Sequence, residues 1–100
     1  MLELEISPEA ENDLLEIWLY IADDHPVNAD RYLDKLHEKI LKLIEFPDIG
    51  RDRPDLVEAN TTKGLKSFPV DRYNLYYQVT DTKLLLVRVL PADRDITLIF

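Results

Sequence analysis

The chain has 100 residues, of which 46% are hydrophobic, with no cysteine and a formal net charge of −8. This length suffices for one hydrophobic core, so we expect a single domain over residues 1–100. The absence of cysteine excludes disulfide frameworks and thiolate metal sites. The sequence shows neither an export signal nor an apolar run that could cross a bilayer, which predicts a cytoplasmic protein that does not engage a membrane.

The negative charge is confined to the first half of the chain. Residues 1–50 hold 13 acidic and 4 basic side chains, a balance of −9, whereas residues 51–100 hold 7 and 8, a balance of +1. Binding of nucleic acid through its phosphates requires a basic surface. Any nucleic-acid role is therefore expected in the near-neutral second half, or through a partner.

The first half predicts a strand followed by two helices. Apolar and acidic residues alternate over Leu2–Ile6, as in a half-buried strand. Ser7 can cap a helix that has Pro8 at its first position, and the run Asp23–Pro26 ends that helix. A second amphipathic helix begins between Pro26 and Asn28 and extends to about Glu45. Because the connection is short, the two helices should pack as an antiparallel hairpin.

The second half predicts an irregular segment followed by a three-stranded meander. Residues 47–63 carry no periodicity, with a short helical turn expected around Pro54–Glu58. Leu65–Val70 is the next predicted strand, and Pro69 places it at an edge or beside a bulge. The apolar runs Tyr73–Val79 and Leu84–Leu90 should form an antiparallel hairpin. The predicted class is α+β, with the helical hairpin on one face of an antiparallel sheet.

The register of this hairpin decides which residues share a face. A turn at Asp81-Thr82 places Val79 opposite Leu84, Tyr77 opposite Leu86, and Tyr73 opposite Leu90, whereas a longer loop would shift the register and swap the faces. In the first register one face carries Tyr73, Leu75, Tyr77, Val79, Leu84, Leu86 and Leu90, with Arg88 as its single charge. The other face carries Asn74, Tyr76, Gln78, Leu85, Val87 and Val89. Both faces are apolar enough to require a cover.

The sequence offers no motif for a metal or a cofactor. His25 and His37 lie twelve residues apart, without the spacing of a metal site. We find no nucleophile elbow, phosphate-binding loop or dinucleotide fingerprint, and the chain has only two glycines. We therefore expect neither a metal ion nor a cofactor.

Five segments, in their order and spacing, resemble the ParE branch of the RelE/ParE toxin superfamily. The resemblance extends from about Leu4 to Ile96. The segments read S-P-E-A-E-N-D-L-L-E-I-W-L-Y-I, P-V-N-A-D-R-Y-L-D-K-L, F-P-D-I-G-R-D-R-P-D-L, Y-N-L-Y-Y-Q-V and V-R-V-L-P-A-D-R-D. The agreement of all five segments in the same order is stronger support for the resemblance than any single segment.

The resemblance implies the toxin of a type II toxin–antitoxin pair, as found in plasmid or chromosomal stabilisation systems. A small ParD-like antitoxin would neutralise the toxin by wrapping its C-terminal tail over it, and operator DNA would be reached only through that complex. ParE-type toxins are described as poisoning DNA gyrase, whereas the RelE branch cleaves mRNA at the ribosome. Both branches share a fold, so the fold does not choose between the targets. A non-toxic relative that only binds its antitoxin is a third alternative.

Candidate site residues differ between these alternatives. Binding to gyrase requires no catalytic residue, and we favour it over ribonuclease activity. A ribonuclease would have to use Arg72, Arg88 and Arg94, but an arginine stays protonated and is a poor base, and no Tyr or His follows Leu90. Arg88 is expected either to extend its charged end to solvent or to pair with a carboxylate such as Asp71 or Asp95. For target binding the candidates are Arg51, Arg53 and Arg94.

The antitoxin is expected on the face of the sheet that the helices leave open. That face would carry Tyr76, Leu85, Val87 and Val89, an apolar strip of the kind that marks a partner surface. An antitoxin segment could lie on the strip or add a strand at an edge. Homodimerisation through the same strip is the competing interpretation.

Overall fold

Two α-helices and five β-strands follow one another in the computed structural model, which describes residues 1–56 and 64–94. The elements are β1 (Glu3–Ile6), α1 (Pro8–Ala22), α2 (Pro26–Glu45), β2 (Arg51–Asp52), β3 (Lys66–Val70), β4 (Tyr73–Val79) and β5 (Lys83–Pro91). Short 3₁₀ turns occupy Pro47–Ile49 and Pro54–Leu56. The predicted α+β order is confirmed. The end of the helical turn expected near Glu58 lies outside the described residues.

Both helices begin and end where the sequence predicts. The Ser7 hydroxyl accepts a hydrogen bond from the Ala10 amide at 3.0 Å and caps α1. Pro26 starts α2, and the two helices form the expected hairpin. The Trp18 indole, which is half-buried, donates to the Asp30 carboxylate at 2.8 Å and joins them. Within the described residues, neither helix is long and apolar enough to cross a bilayer.

The sheet has the strand order β1-β5-β4-β3-β2, and it is mixed rather than antiparallel. The expectation of an antiparallel sheet is wrong at β1, which pairs in parallel with β5. The sequence places β5 last, but the fold inserts it between β1 and β4. Because β5 is apolar on both faces, a central position with a neighbour on each side suits it.

The helical hairpin covers one face of this sheet. On that face the core contains the buried side chains of Leu75, Tyr77, Leu84, Leu86 and Val89, packed against Ala10, Ile17, Leu36, Ile40 and Leu43 of the helices. Leu4 and Ile6 of β1 also pack against this core, whereas Glu3 and Glu5 are exposed. The face of the sheet turned away from the helices is called the outer face below.

The short strand β2 was not predicted from the sequence. Its two residues pair with Lys66 and Ser67 of β3 only. Pro69 therefore lies beyond the end of β2, where its missing amide donor is not needed by a neighbouring strand. The edge position expected for Pro69 is correct, although β3 is not the last strand of the sheet.

Candidate functional site

A β-bulge in β5 sets the geometry of the region next to α1. The pairing follows the prediction from Val79–Leu84 to Tyr77–Leu86, but the next pair joins Tyr76 to Arg88. Val87 is the extra residue, so Tyr73 lies opposite Pro91 and the predicted Tyr73–Leu90 pair is wrong. The bulge moves Val89, in place of Arg88, to the position opposite Leu75.

Polar groups of α1 bind the backbone that the bulge frees. The Ser7 hydroxyl donates to the Val87 carbonyl at 2.7 Å, in addition to capping α1. The Val89 amide donates to the Asp13 carboxylate at 3.0 Å. These two bonds satisfy backbone groups that a regular ladder would have paired. Contacts between β5 and the first turns of α1 thus stabilise the bulge.

The Asp13 carboxylate is buried and pairs with the Arg88 guanidinium. Arg88 donates from Nε to Oδ2 at 2.7 Å and from Nη2 to Oδ1 at 2.9 Å, a bidentate ion pair. The hydrogen bond to Asp13 raises the pKa of Arg88. Arg88 thus pairs with Asp13 and not with the expected Asp71, which binds Lys35 at 2.8 Å, while Asp95, the other expected partner, lies outside the described residues. Asp13 was missed, although a carboxylate between Ala10 and Ile17 on the apolar stripe of α1 signals a buried partner.

A groove of about 610 Å³ opens beside this pair, between α1 and the ends of β4 and β5. Its lining combines an apolar part with charged and phenolic groups, which is the composition of many binding sites. The lining consists of Asp13, Glu16, Ile17, Tyr20, Arg72, Tyr73, Val89, Leu90, Pro91, Ala92, Asp93 and Arg94. Two of the three candidate arginines, Arg72 and Arg94, therefore share one groove.

The groove offers little acid–base chemistry near neutral pH. Burial raises the pKa of Tyr73, whose ring packs on that of Tyr32 at a centroid distance of 5.9 Å. A phenol with a raised pKa stays protonated and is not a base. The described lining contains no histidine, and both His25 and His37 lie exposed in the helical half. Glu16 and Asp93 are the remaining carboxylates of the lining besides Asp13.

The Tyr77 hydroxyl fixes the segment that follows α2. It donates to the Pro47 carbonyl at 2.8 Å and accepts from the Gly50 amide at 3.0 Å. A Cβ on Gly50 would lie 2.8 Å from carbon atoms of the Tyr77 ring. Because the Gly50 backbone is extended, the glycine is required here for space rather than for its conformational freedom.

The loop candidates Arg51 and Arg53 have different environments. Arg53 pairs with Asp55 through two bonds of 3.0 and 3.1 Å, donates to the Ser67 hydroxyl at 3.2 Å, and lies 5.8 Å from the Tyr76 ring centroid. The hydrogen bond to Asp55 raises the pKa of Arg53. Arg51 is exposed in β2. Arg53 is therefore engaged within the protein, whereas Arg51 is accessible.

Comparison with models of protein families shows which family this sequence belongs to. The family model described as the ParE toxin of the type II toxin–antitoxin system parDE matches residues 4–96. The chain belongs to the ParE toxin family. The family assignment inferred from the five sequence segments is thereby confirmed.

Chains of similar fold occur in solved toxin–antitoxin systems. The chromosomal ParDE system of P. aeruginosa contains a chain that superposes with a TM-score of 0.73 at 18% identity, covering 93% of this chain and 98% of that one. A chain of the E. coli DinJ–YafQ complex superposes with a TM-score of 0.50 at 17% identity, covering 91% and 93%. At such identities the likeness shows a shared fold and not a shared target.

One curated protein, the prolactin receptor of Rattus norvegicus, is 38% identical over 69 residues. The match covers 68% of this chain, but the chain spans only about a tenth of the receptor's length. A match to so small a part of a much longer protein gives no basis for transferring the receptor's role.

In this ParE-family chain the outer face differs from the open apolar strip that the sequence suggests. Val89 is buried in the core on the helix side, because the bulge reverses its orientation. Tyr76 is only 1% exposed and lies beneath Arg53. Leu85 and Val87 remain partly exposed. The premise that Tyr76 and Val89 are accessible to an antitoxin is therefore wrong, while contact at Leu85 and Val87 stays a prediction.

Proposed function

We propose that this chain is the toxin of a ParE-type pair, that a cognate ParD-like antitoxin neutralises it, and that it inhibits DNA gyrase by binding without catalysis. The proposal of gyrase as target rests on the resemblance to the ParE branch. Membership of the ParE toxin family over residues 4–96 supports the toxin role. The solved relatives come from toxin–antitoxin systems, which supports an antitoxin partner.

The pairing of Arg88 with Asp13 is the observation that supports inhibition by binding without catalysis. Two of its donors are bound to the buried Asp13 carboxylate, so they are not free to hold a phosphate in a transition state. The neighbouring Tyr73 is held protonated by burial, and the groove lining provides no histidine within the described residues. Among the described lining residues, Glu16 and Asp93 remain as possible bases, but Arg88 is not available beside them, which supports binding rather than catalysis.

A gyrase supercoiling assay tests the proposal. Purified chain added to gyrase and relaxed plasmid should inhibit supercoiling in proportion to the molar ratio of chain to gyrase, because a binding inhibitor is consumed stoichiometrically. Addition of antitoxin should restore activity. Supercoiling that is unaffected at a severalfold molar excess of the chain would refute gyrase as the target.

Ribosome-dependent mRNA cleavage is the second candidate, because Arg72 and Arg94 line the same groove. It predicts that translation in an extract stops and that cleaved mRNA accumulates at substoichiometric amounts of the chain. Arg72→Gln and Arg94→Gln should then abolish cleavage, whereas Arg31→Gln, which changes an exposed arginine of α2, should not. If neither gyrase nor translation responds and the antitoxin still binds, the chain is a non-toxic relative.

A further inference from the structure

Two arginines without a counter-ion lie together on the groove wall that faces α1. Arg72 and Arg94 both line the groove, both are exposed, and neither forms an ion pair with another described residue. Backbone bonds hold their segments together, since the Arg72 carbonyl accepts from the Ala92 amide at 2.7 Å and the Pro91 carbonyl accepts from the Arg94 amide at 3.1 Å. Arg72 and Arg94 are called the arginine wall below.

The remainder of the groove combines buried apolar groups with an exposed aromatic ring. Ile17, Val89 and Leu90 of the lining are buried, and they contribute apolar surface to the groove. Tyr20, which belongs to α1, is 76% exposed. A groove of this composition suits an occupant whose apolar groups contact these side chains while an anionic group reaches the arginine wall.

The other charges of the groove favour a single carboxylate as that anionic group. The Asp13 carboxylate is occupied by Arg88, whereas Glu16 and Asp93 form no ion pair with another described residue. A nucleic-acid strand carries a phosphate at every nucleotide, so it would bring several negative charges against Glu16 and Asp93. A protein segment with one carboxylate among apolar side chains meets the arginine wall with less repulsion. The groove is therefore better suited to a protein partner than to RNA or DNA.

We infer that this groove is the surface by which the chain docks its target, and that it takes a segment of gyrase in which one Asp or Glu side chain is flanked by apolar residues. The inference rests on the proposed function, since it assumes that gyrase is the target. Arg72 and Arg94 bind the carboxylate of that segment, and Tyr20 contacts its apolar neighbours. Arg51, the other accessible candidate for target binding, lies in the edge strand β2 and does not line the groove.

Titration calorimetry of the purified chain with purified gyrase, in the absence of DNA, tests the inference. The double variant Arg72→Gln with Arg94→Gln should weaken binding by about tenfold or more, because it removes both cations that pair with the carboxylate. Replacing both arginines by Lys keeps the charge but not the forked geometry, so that variant should bind more tightly than the Gln variant. The matched control is Arg31→Gln, which changes an exposed arginine of α2 and should leave the affinity within about twofold of wild type.

Thermal unfolding and salt dependence separate docking from a structural role of the same arginines. Because Arg72 and Arg94 are exposed and form no ion pair with another described residue, the Gln double variant should unfold at nearly the wild-type temperature. The wild-type affinity for gyrase should fall as salt rises, and that dependence should be flatter in the Gln double variant. Weaker binding with unchanged stability and a flatter salt dependence assigns the effect to the arginine wall.

Each alternative outcome has a definite meaning. Equal binding of gyrase by wild type and the Gln double variant, or a loss found only in Arg51→Gln, overturns the groove as the docking surface while leaving gyrase as the target. Inhibition of supercoiling without binding to gyrase alone, or binding to plasmid DNA alone that the Gln double variant loses, would assign the arginine wall to nucleic acid and overturn the inference. A wild-type chain that neither binds gyrase nor inhibits supercoiling refutes the proposed target, and the inference with it.

Discussion

Removing the charge of Asp13 should weaken the fold more than any surface substitution in α1. In Asp13→Asn the side chain keeps its size, but an amide nitrogen replaces one of the two oxygens that accept from Arg88 and the Val89 amide. At least one N–H group of Arg88 or Val89 then faces the new side-chain NH₂ group, which is itself a donor and cannot accept a hydrogen bond. The Arg88 guanidinium, whose side chain is 22% exposed, keeps its charge but loses its hydrogen-bonded counter-ion.

The expected loss follows from the burial of the pair. Breaking a buried ion pair by removal of one partner costs about 3–5 kcal/mol, because the remaining charge stays desolvated and unpaired. A domain of this size has a free energy of unfolding of about 5–15 kcal/mol, so the loss is a large fraction of the total. Each kcal/mol lowers the melting temperature of a small domain by about 4–8 °C, which predicts a fall of more than about 10 °C.

Urea and thermal unfolding followed by circular dichroism measure this loss. The matched control is Glu16→Gln, which makes the same chemical change at an exposed carboxylate one turn further along α1 and should change the free energy of unfolding by less than about 0.5 kcal/mol. A double variant, Asp13→Leu with Arg88→Met, removes both charges and should lose less than the sum of the two single changes. If Asp13→Asn unfolds like Glu16→Gln, the account of the buried pair is wrong.

Three further predictions concern the tyrosines and Gly50. Tyr77→Phe should lower the free energy of unfolding by about 1–3 kcal/mol through the lost bonds to Pro47 and Gly50, whereas Tyr32→Phe should change it by less than about 1 kcal/mol, since within the described residues the Tyr32 hydroxyl interacts only with the exposed Asp71 carboxylate. Urea denaturation measures both, and a loss in Tyr32→Phe as large as that in Tyr77→Phe would contradict the reasoning. Gly50→Ala should cost about 1–3 kcal/mol, because the new methyl group overlaps the Tyr77 ring, and a crystal structure or melting curve that is unchanged would count against this. Burial, with the Asp71 carboxylate nearby, raises the pKa of Tyr32 from 10.0 to about 12. The unfolded chain therefore loses this proton at lower pH than the folded chain, and the free energy of unfolding should fall as the pH rises from 10 toward 12. Urea midpoints across that range should fall less steeply in Tyr32→Phe than in wild type, and equal slopes would refute this assignment.

Local signals in the sequence were strong enough to place the helices and most strands. The Ser7-Pro8 start and the Pro26 boundary are set by capping and by the fixed backbone of proline, which act within a few residues. The strand Tyr73–Val79 was predicted with its observed bounds, because its apolar run ends at polar turn residues. The candidate arginines of the groove were also named in advance, although nothing in the sequence indicated that Arg72 and Arg94 share it.

The sequence by itself determined the class of the fold, the helical hairpin, the β4–β5 hairpin and the family, since each depends on residues close together in the chain or on the order of segments. Only the tertiary structure decided the parallel pairing of β1 with β5 and the bulge at Val87. Both depend on contacts between segments about 80 residues apart, where Ser7 and Asp13 bind the backbone of β5. A bulge shifts the register by one residue, and one residue moves a side chain to the opposite face of a sheet. For this reason Val89 is buried beneath the helices instead of lying on the outer face.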